Sequence, residues 1–243
     1  MEKKMTRYAC VTGADRGLGY ELVKQLLAHD YTVFAGRYHV EWKLLDDLRK
    51  EHPERLVLVD LDVSKDESVA QAAAFIRSRT ASLEVLVNNS AITGDNVSTI
   101  ADPLNFEEML KVYNVNAIGA LRVTNALYPL IVTGSKKLIM NISSEAGSIG
   151  NCYRKGWFAY CSSKAALNMM SAITHNNLKE IGGQVILIQP GWMKSWLSGQ
   201  YHDEAPLTPD IPAAQLIGII ESPDRYKGKS PAYIDYEGNA LQF

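Results

Sequence analysis

Cysteine is scarce in this sequence. Three thiols, Cys10, Cys152 and Cys161, occur in 243 residues, with no CxxC pair and no His/Cys cluster at metal-ligand spacing. That excludes a disulfide-stapled scaffold and a zinc-clasped one, and it fits reduced thiols. An excess of either charge is lacking too: 25 Lys and Arg stand against 27 Asp and Glu, a formal net charge of -2, with the cations scattered. Such a chain offers no electrostatic footprint for nucleic acid. No run approaches the roughly 18 apolar residues of a membrane span, and the first apolar run, after the basic start MEKKMTR, is too short for a secretory core. The expectation is a soluble, cytoplasmic protein with no membrane partner, no nucleic-acid partner and no metal site. Repeats, low-complexity tracts and linkers are missing as well, so a chain of this length with 47% hydrophobic residues is read as one domain spanning 1–243.

What is present is an alternation of short β-branched runs with longer helical patterns. YACVTG is followed by a helix over about 17–29, TVFAG by one over about 42–51, RLVLVDL by one over about 65–79, and then comes LEVLVNN. The second half adds a helix over about 105–127 stopped by Pro129, the strand KLIMNIS, a helix over about 159–181 stopped by Gly182-Gly183, and the strand QVILIQP. A short helix over about 212–220 and a strand PAYIDY finish the series. Strands separated by helices of this length imply βαβ crossovers and a parallel, doubly wound sheet covered on both faces. Between Gly191 and Asp210 the periodicity disappears, which marks a long loop over the substrate side.

Directly after the first strand stands TGADRGLG, with Gly13, Gly17 and Gly19 at the turn into a helix that begins near Leu18. A turn of this kind lets the backbone approach a pyrophosphate, whose charge the helix N-terminus then holds. About 20 residues further on, a dinucleotide site reads the adenosine ribose, and a carboxylate there selects NAD. The sequence at that place is VFAGRYH, with no acid; Gly36 leaves room and Arg37 supplies a guanidinium suited to a phosphate. Arg16, inside the glycine loop, reaches the same side. The two cations predict NADP(H) in preference to NAD(H).

AYCSSKAAL places Tyr160 four residues before Lys164, on one face of a helix. A neighbouring ammonium lowers a phenol from its usual pKa of about 10 toward neutrality, which suits a general acid for a carbonyl oxygen. Upstream, NISS ends a strand at Ser143-Ser144, where open α/β sheets meet their ligand crevice.

These residues together resemble the short-chain dehydrogenase/reductase family, and the resemblance runs along nearly the whole chain. TGADRGLG is similar to the family's glycine loop at Thr12, Gly13, Asp15, Arg16, Gly17, Leu18 and Gly19. Asp62-Val63 resembles its adenine-contacting pair, and Asn88, Asn89, Ser90 and Ala91 resemble its NNAG segment. Asn116 in NVNAIG matches the helix-kinking Asn, Ser144 the catalytic Ser, and Tyr160 with Lys164 the YxxxK pair; PGWMKS supplies Pro190, Gly191, Met193 and Ser195 near the nicotinamide. The resemblance implies a single-domain Rossmann-type doubly wound sheet of about seven parallel strands with helices on both faces. It further implies that Tyr160 protonates a ketone or aldehyde, that Ser144 holds the carbonyl, that Lys164 tunes the Tyr and grips the ribose, and that Asn116 holds a proton-relaying water. NADP-linked carbonyl-reductase-like and C-factor-like members are the branch most similar.

Ser90-Ala91 replaces the family's Ala-Gly, and the interval from Ser144 to Tyr160 is longer than usual, so that NCYRKGW bulges toward the substrate entrance. Trp157, Phe158, Trp192, Met193, Trp196 and Tyr201 form either an apolar rim for a hydrophobic carbonyl compound or packing for the loop itself. His202, Asp203 and Glu204 lie on that loop with no role assigned beyond a solvated tip. Small and apolar residues on several faces of the 105–127 and 159–181 helices, together with the family's habits, point to a homodimer or homotetramer. The leading expectation is an NADPH-dependent oxidoreductase of a carbonyl or alcohol substrate. The alternative is an NADP(H)-binding regulatory or signalling protein on the same fold. An epimerase or dehydratase of nucleotide sugars shares YxxxK but needs more chain after Pro190 than this one has.

Overall fold

The computed structural model describes residues 6–243; the basic start at 1–5 lies outside them. Its elements are β1 (Arg7–Val11), α1 (Gly17–Ala28), β2 (Tyr31–Arg37), α2 (Leu44–Glu51), β3 (Leu56–Asp60), α3 (Asp66–Arg77) and β4 (Val85–Asn88) in the first half. The second half has α4 (Phe106–Tyr113), a π-helical segment (Asn114–Gly119), α5 (Ala120–Thr133), β5 (Leu138–Ile142), α6 (Phe158–Lys179), β6 (Gln184–Gln189), α7 (Asp210–Glu221) and β7 (Ala232–Asp235). All seven strands pair in parallel in the order β3-β2-β1-β4-β5-β6-β7. Strand order reverses between β1 and β4, and the carboxyl ends of those two strands therefore frame the crevice such sheets use for ligands.

The strands are apolar on both sides because helices cover both faces, and the period of two divides their residues between two cores. Val85, Val87, Ile186 and Ile188 face Leu22, Leu26, Leu216 and Ile220 of α1 and α7. Their neighbours Leu86 and Val185 face Val69, Ile76, Leu127 and Ile131 of α3 and α5.

Two boundaries differ from the sequence reading. Pro129 does not stop its helix, which continues to Thr133. Leu130 and Ile131 are buried in the core beyond it, and the Leu130 carbonyl accepts from the Leu83 amide at 2.8 Å, so tertiary contacts outweigh the lost helical bond. The α4–π–α5 run, Phe106–Thr133, is by length and composition apolar enough to cross a membrane, although no such run stood out in the sequence; half of its most apolar 18-residue window is buried inside the protein. The second helix begins at Leu44 rather than near Trp42, whose ring packs instead on Trp196. At the far edge of the sheet the chain turns back on β7: Leu241 N–H donates to Tyr233 O at 2.8 Å, and Ile234 pairs with Ala240 in an antiparallel bridge.

Candidate active site

The turn from β1 into α1 is built as the glycines demand. Gly13 and Gly17 have φ of +61° and +57°, the left-handed region that favours glycine. Gly19 answers a different need, since a Cβ there would lie 2.2 Å from the Gly13 carbonyl oxygen. Arg16 at the start of α1 provides no side-chain cap, so the helix N-terminus keeps free N–H groups of the kind a pyrophosphate takes up. Thr12 stitches this loop to the end of β4. Its hydroxyl accepts from Asn89 N at 3.0 Å and Ser90 N at 3.1 Å, while Asn89 Nδ2 donates back to Thr12 O and Gly13 O. Asp62 forms its own turn, accepting from Ser64 N and Ser64 Oγ.

A cleft of about 1470 Å³ opens above these carboxyl ends. Of the cofactor residues expected from sequence, Gly13, Asp15, Arg16, Gly17, Leu18, Asp62, Val63, Asn89, Ser90, Ala91, Pro190, Gly191, Met193 and Ser195 line it. Thr12 and Gly19 act from behind the wall. The size of the cleft, the glycine turn and the uncapped helix end together fit a dinucleotide.

Arg37 departs from expectation. Its Nε donates to Asp60 at 2.7 Å and its Nη1 to Asp46 at 3.3 Å, and it is not part of the cleft wall. Carboxylates at the end of β3 and in α2 compete for the guanidinium that was assigned to a phosphate. Tyr38 and His39, which follow it, face the cleft instead.

Ser144, Tyr160 and Lys164 converge on the same cleft. Ser144 lies close enough to Tyr160 for its hydroxyl to favour the phenolate. Lys164 donates to Ile142 O at 2.8 Å, with its Nζ 5.5 Å from the centre of the Tyr160 ring. The expected tuning of Tyr by Lys is not what governs this pair. Burial raises the Tyr160 phenol, with the nearby Ser144 hydroxyl lowering it, and burial pushes the Lys164 ammonium down to about 7. Both groups are desolvated, and among the described residues Lys164 has a carbonyl but no anion as its partner.

Asn116 sits in the π-helical segment but behind the cleft wall. Its amide clasps the backbone of Ile92, donating at 2.8 Å and accepting at 2.9 Å, and also donates to Ser163 Oγ at 3.0 Å. These bonds make the residue an anchor for the segment after β4.

Two residues escaped the sequence reading. Glu145 accepts the Ser144 hydroxyl proton at 2.8 Å through Oε2 and binds Arg154 through Oε1. Arg154 lies over the rings of Tyr153 and Trp157, at 4.7 and 5.4 Å. Both line the cleft. The signal was there, an acid next to Ser144 and a cation in the lengthened segment, but only the fold joins them. Trp157, at the N-cap of α6, adopts φ +66° and sets its ring edge-on to Tyr160, with 5.8 Å between centroids.

The family model described as short chain dehydrogenase matches residues 7–205. Estradiol 17-beta-dehydrogenase 2 of Mus musculus is 34% identical over 191 residues, which cover 78% of this chain and 49% of that protein, so the match spans about half that relative's length. An uncharacterized oxidoreductase of Schizosaccharomyces pombe is 30% identical with 96% of each chain covered. Among solved structures, an NADPH-bound carbonyl reductase from chicken fatty liver is 29% identical, with a TM-score of 0.85 and coverage of 98% of this chain and 99% of that one.

Proposed function

This chain belongs to the short-chain dehydrogenase family, and on that premise we propose that it is an NADPH-dependent carbonyl reductase. The observation that carries the reading is the convergence of Ser144, Tyr160 and Lys164 on one cleft beside the glycine turn. Bound NADPH supplies a hydride from its nicotinamide ring. Tyr160 delivers its phenolic proton to the carbonyl oxygen, and Ser144 fixes that oxygen by a hydrogen bond. Lys164, held by Ile142 O and disfavoured as an ammonium by burial, returns the proton to the tyrosinate.

The carbonyl-reductase reading takes its support from the chicken enzyme, and the cofactor choice from its bound NADPH together with Arg16 in the cleft. The aromatic wall of Tyr153, Trp157, Trp192 and Trp196 suits an apolar or aromatic aldehyde or ketone. Leu110, Leu121, Met169 and Ile173 stand exposed on α4, α5 and α6, and we place a homodimer interface there. A cytoplasmic enzyme without nucleic-acid or membrane partners completes the proposal. The second reading, an NADP(H)-binding regulatory protein, needs the glycine turn but not an intact Ser144, Tyr160 and Lys164.

The deciding experiment follows NADPH oxidation by the purified protein with aldehydes, diketones and aromatic ketones, beside Tyr160→Phe. Turnover that vanishes in the variant, while NADPH binding persists, establishes the reductase. Tight NADPH binding without turnover dependent on Tyr160 moves the weight to the regulatory reading.

A further inference from the structure

Arg16 is the meeting point of three segments. It opens α1, yet its guanidinium carbon lies 4.7 Å from the ring centre of Trp42, in the β2–α2 connection, and 5.6 Å from that of Trp196, in the loop after β6. The two indoles touch edge to face, with centroids 5.5 Å apart and planes at 75°. Among the described residues the Arg16 guanidinium makes no hydrogen bond or ion pair, unlike Arg37 with its two carboxylates. A guanidinium carries its five N–H donors in its own plane; two rings near right angles to each other confine it from two sides, and none of its donors is taken by a carboxylate or carbonyl among the described residues. Asp15 and Glu41 lie within its electrostatic reach, but Asp15 already accepts from the Tyr38 amide at 2.6 Å and Glu41 pairs with His39 at 2.7 Å.

Trp196 is not a loose surface ring. Its loop is braced by the Met193–Leu207 bridge, by the Lys194–Asp203 ion pair at 2.7 Å, by the Gly199 amide on Trp196 O at 2.9 Å and by the Tyr201 ring at 5.2 Å. The contact with Arg16 therefore links this braced loop to the start of α1 along the wall of the cleft.

We infer that Trp42 and Trp196 are positioning residues for cofactor choice: they orient Arg16 so that its free edge receives a ribose 2′-phosphate, and through Trp196 that phosphate and the closed substrate loop stabilise each other. The inference rests on the NADPH reading above. A dinucleotide without the phosphate makes no use of that edge, so it gains nothing from the two rings. Linkage requires the reverse as well: whatever holds the loop down strengthens NADPH binding and leaves NADH binding alone.

The test measures dissociation constants of NADPH and NADH by calorimetry on the full chain, for wild type, Trp196→Ala, Trp42→Ala and Trp196→Phe, with circular dichroism to verify folding. The expected result is about a 5- to 10-fold loss of NADPH affinity in each alanine variant, on the scale of one cation–π contact. NADH affinity stays within about twofold, and Trp196→Phe restores most of the preference. A second readout is protease cleavage of the 191–210 loop, which NADPH slows more than NADH in wild type and no longer in Trp196→Ala. If wild type binds NADH as tightly as NADPH, the cofactor reading fails and this inference with it. If wild type prefers NADPH and the alanine variants keep the same ratio, or lose both cofactors equally, the inference alone is overturned.

Discussion

Ser144 donates its single hydroxyl proton to Glu145 at 2.8 Å and at the same time accepts from the Ala146 amide at 3.2 Å. A carbonyl oxygen that reaches Ser144 must compete with Glu145 for that proton, because a serine has only one to give. Arg154, bound to the other oxygen of the carboxylate, helps keep it ionised and below its usual range. The substrate end of the cleft is thus set by a pair that the reaction itself does not consume.

Glu145→Gln keeps the shape and removes a negative charge that raises the Tyr160 phenol. Taking away that charge favours the phenolate, so the pH above which reduction falls off moves down, by about half a unit or more. NADPH affinity stays within about twofold. Profiles of kcat/KM against pH for both proteins check this; coincident profiles would refute it.

Burial pushes Lys164 from its ordinary 10.5 to about 7 in the folded chain. Between those values the unfolded chain holds a proton that the folded one lacks, so stability rises with pH; below 7 both are protonated and the full cost of the buried charge persists. Above about 9 the raised Cys10 thiol and Tyr160 phenol oppose the trend. From pH 7 to 9 the cofactor-free protein should gain about 1 kcal/mol per pH unit in urea unfolding. Lys164→Met should flatten that gain.

Gly19→Ala places a methyl 2.2 Å from the Gly13 carbonyl oxygen, backbone that cannot yield without reshaping the turn. A loss of about 1–3 kcal/mol is expected in thermal or urea unfolding. NADPH and NADH binding fall together, since the pyrophosphate seat serves both. Gly218→Ala, whose added methyl meets nothing within 4 Å, is the matched control.

Arg37 and Arg16 should separate by substitution. Arg37 bonds an Asp60 side chain that is 70% exposed, so Arg37→Ala costs under about 1 kcal/mol of stability. Arg16→Ala should lower NADPH affinity about tenfold or more relative to NADH, the greater loss of the two. Calorimetric titration of both variants with both cofactors decides the order.

The doubly wound sheet was legible because strands and helices alternate along the chain and each glycine of the first turn has a local reason to be there. Ser144, Tyr160 and Lys164 were legible by spacing, and the fold brings all three to one wall. What escaped depends on partners distant in sequence. Pro129 reads as a stop until Leu130 is seen bonded to Leu83, and Arg37 reads as a phosphate ligand until Asp60, its neighbour in the β2–β3 ladder, is seen to hold it. Trp42 and Trp196 are 154 positions apart, and no periodicity joins them.

The turn-back over β7 has a consequence for how copies of this chain behave when crowded. A parallel sheet leaves two rows of unpaired backbone groups, each a template for joining a stranger. On the β7 side the chain's own residues 239–241 fill part of that row. The other border is β3, five residues ending in Asp60, too short and too charged at its end to recruit another strand well. The fold carries its own defence against sticking edge to edge.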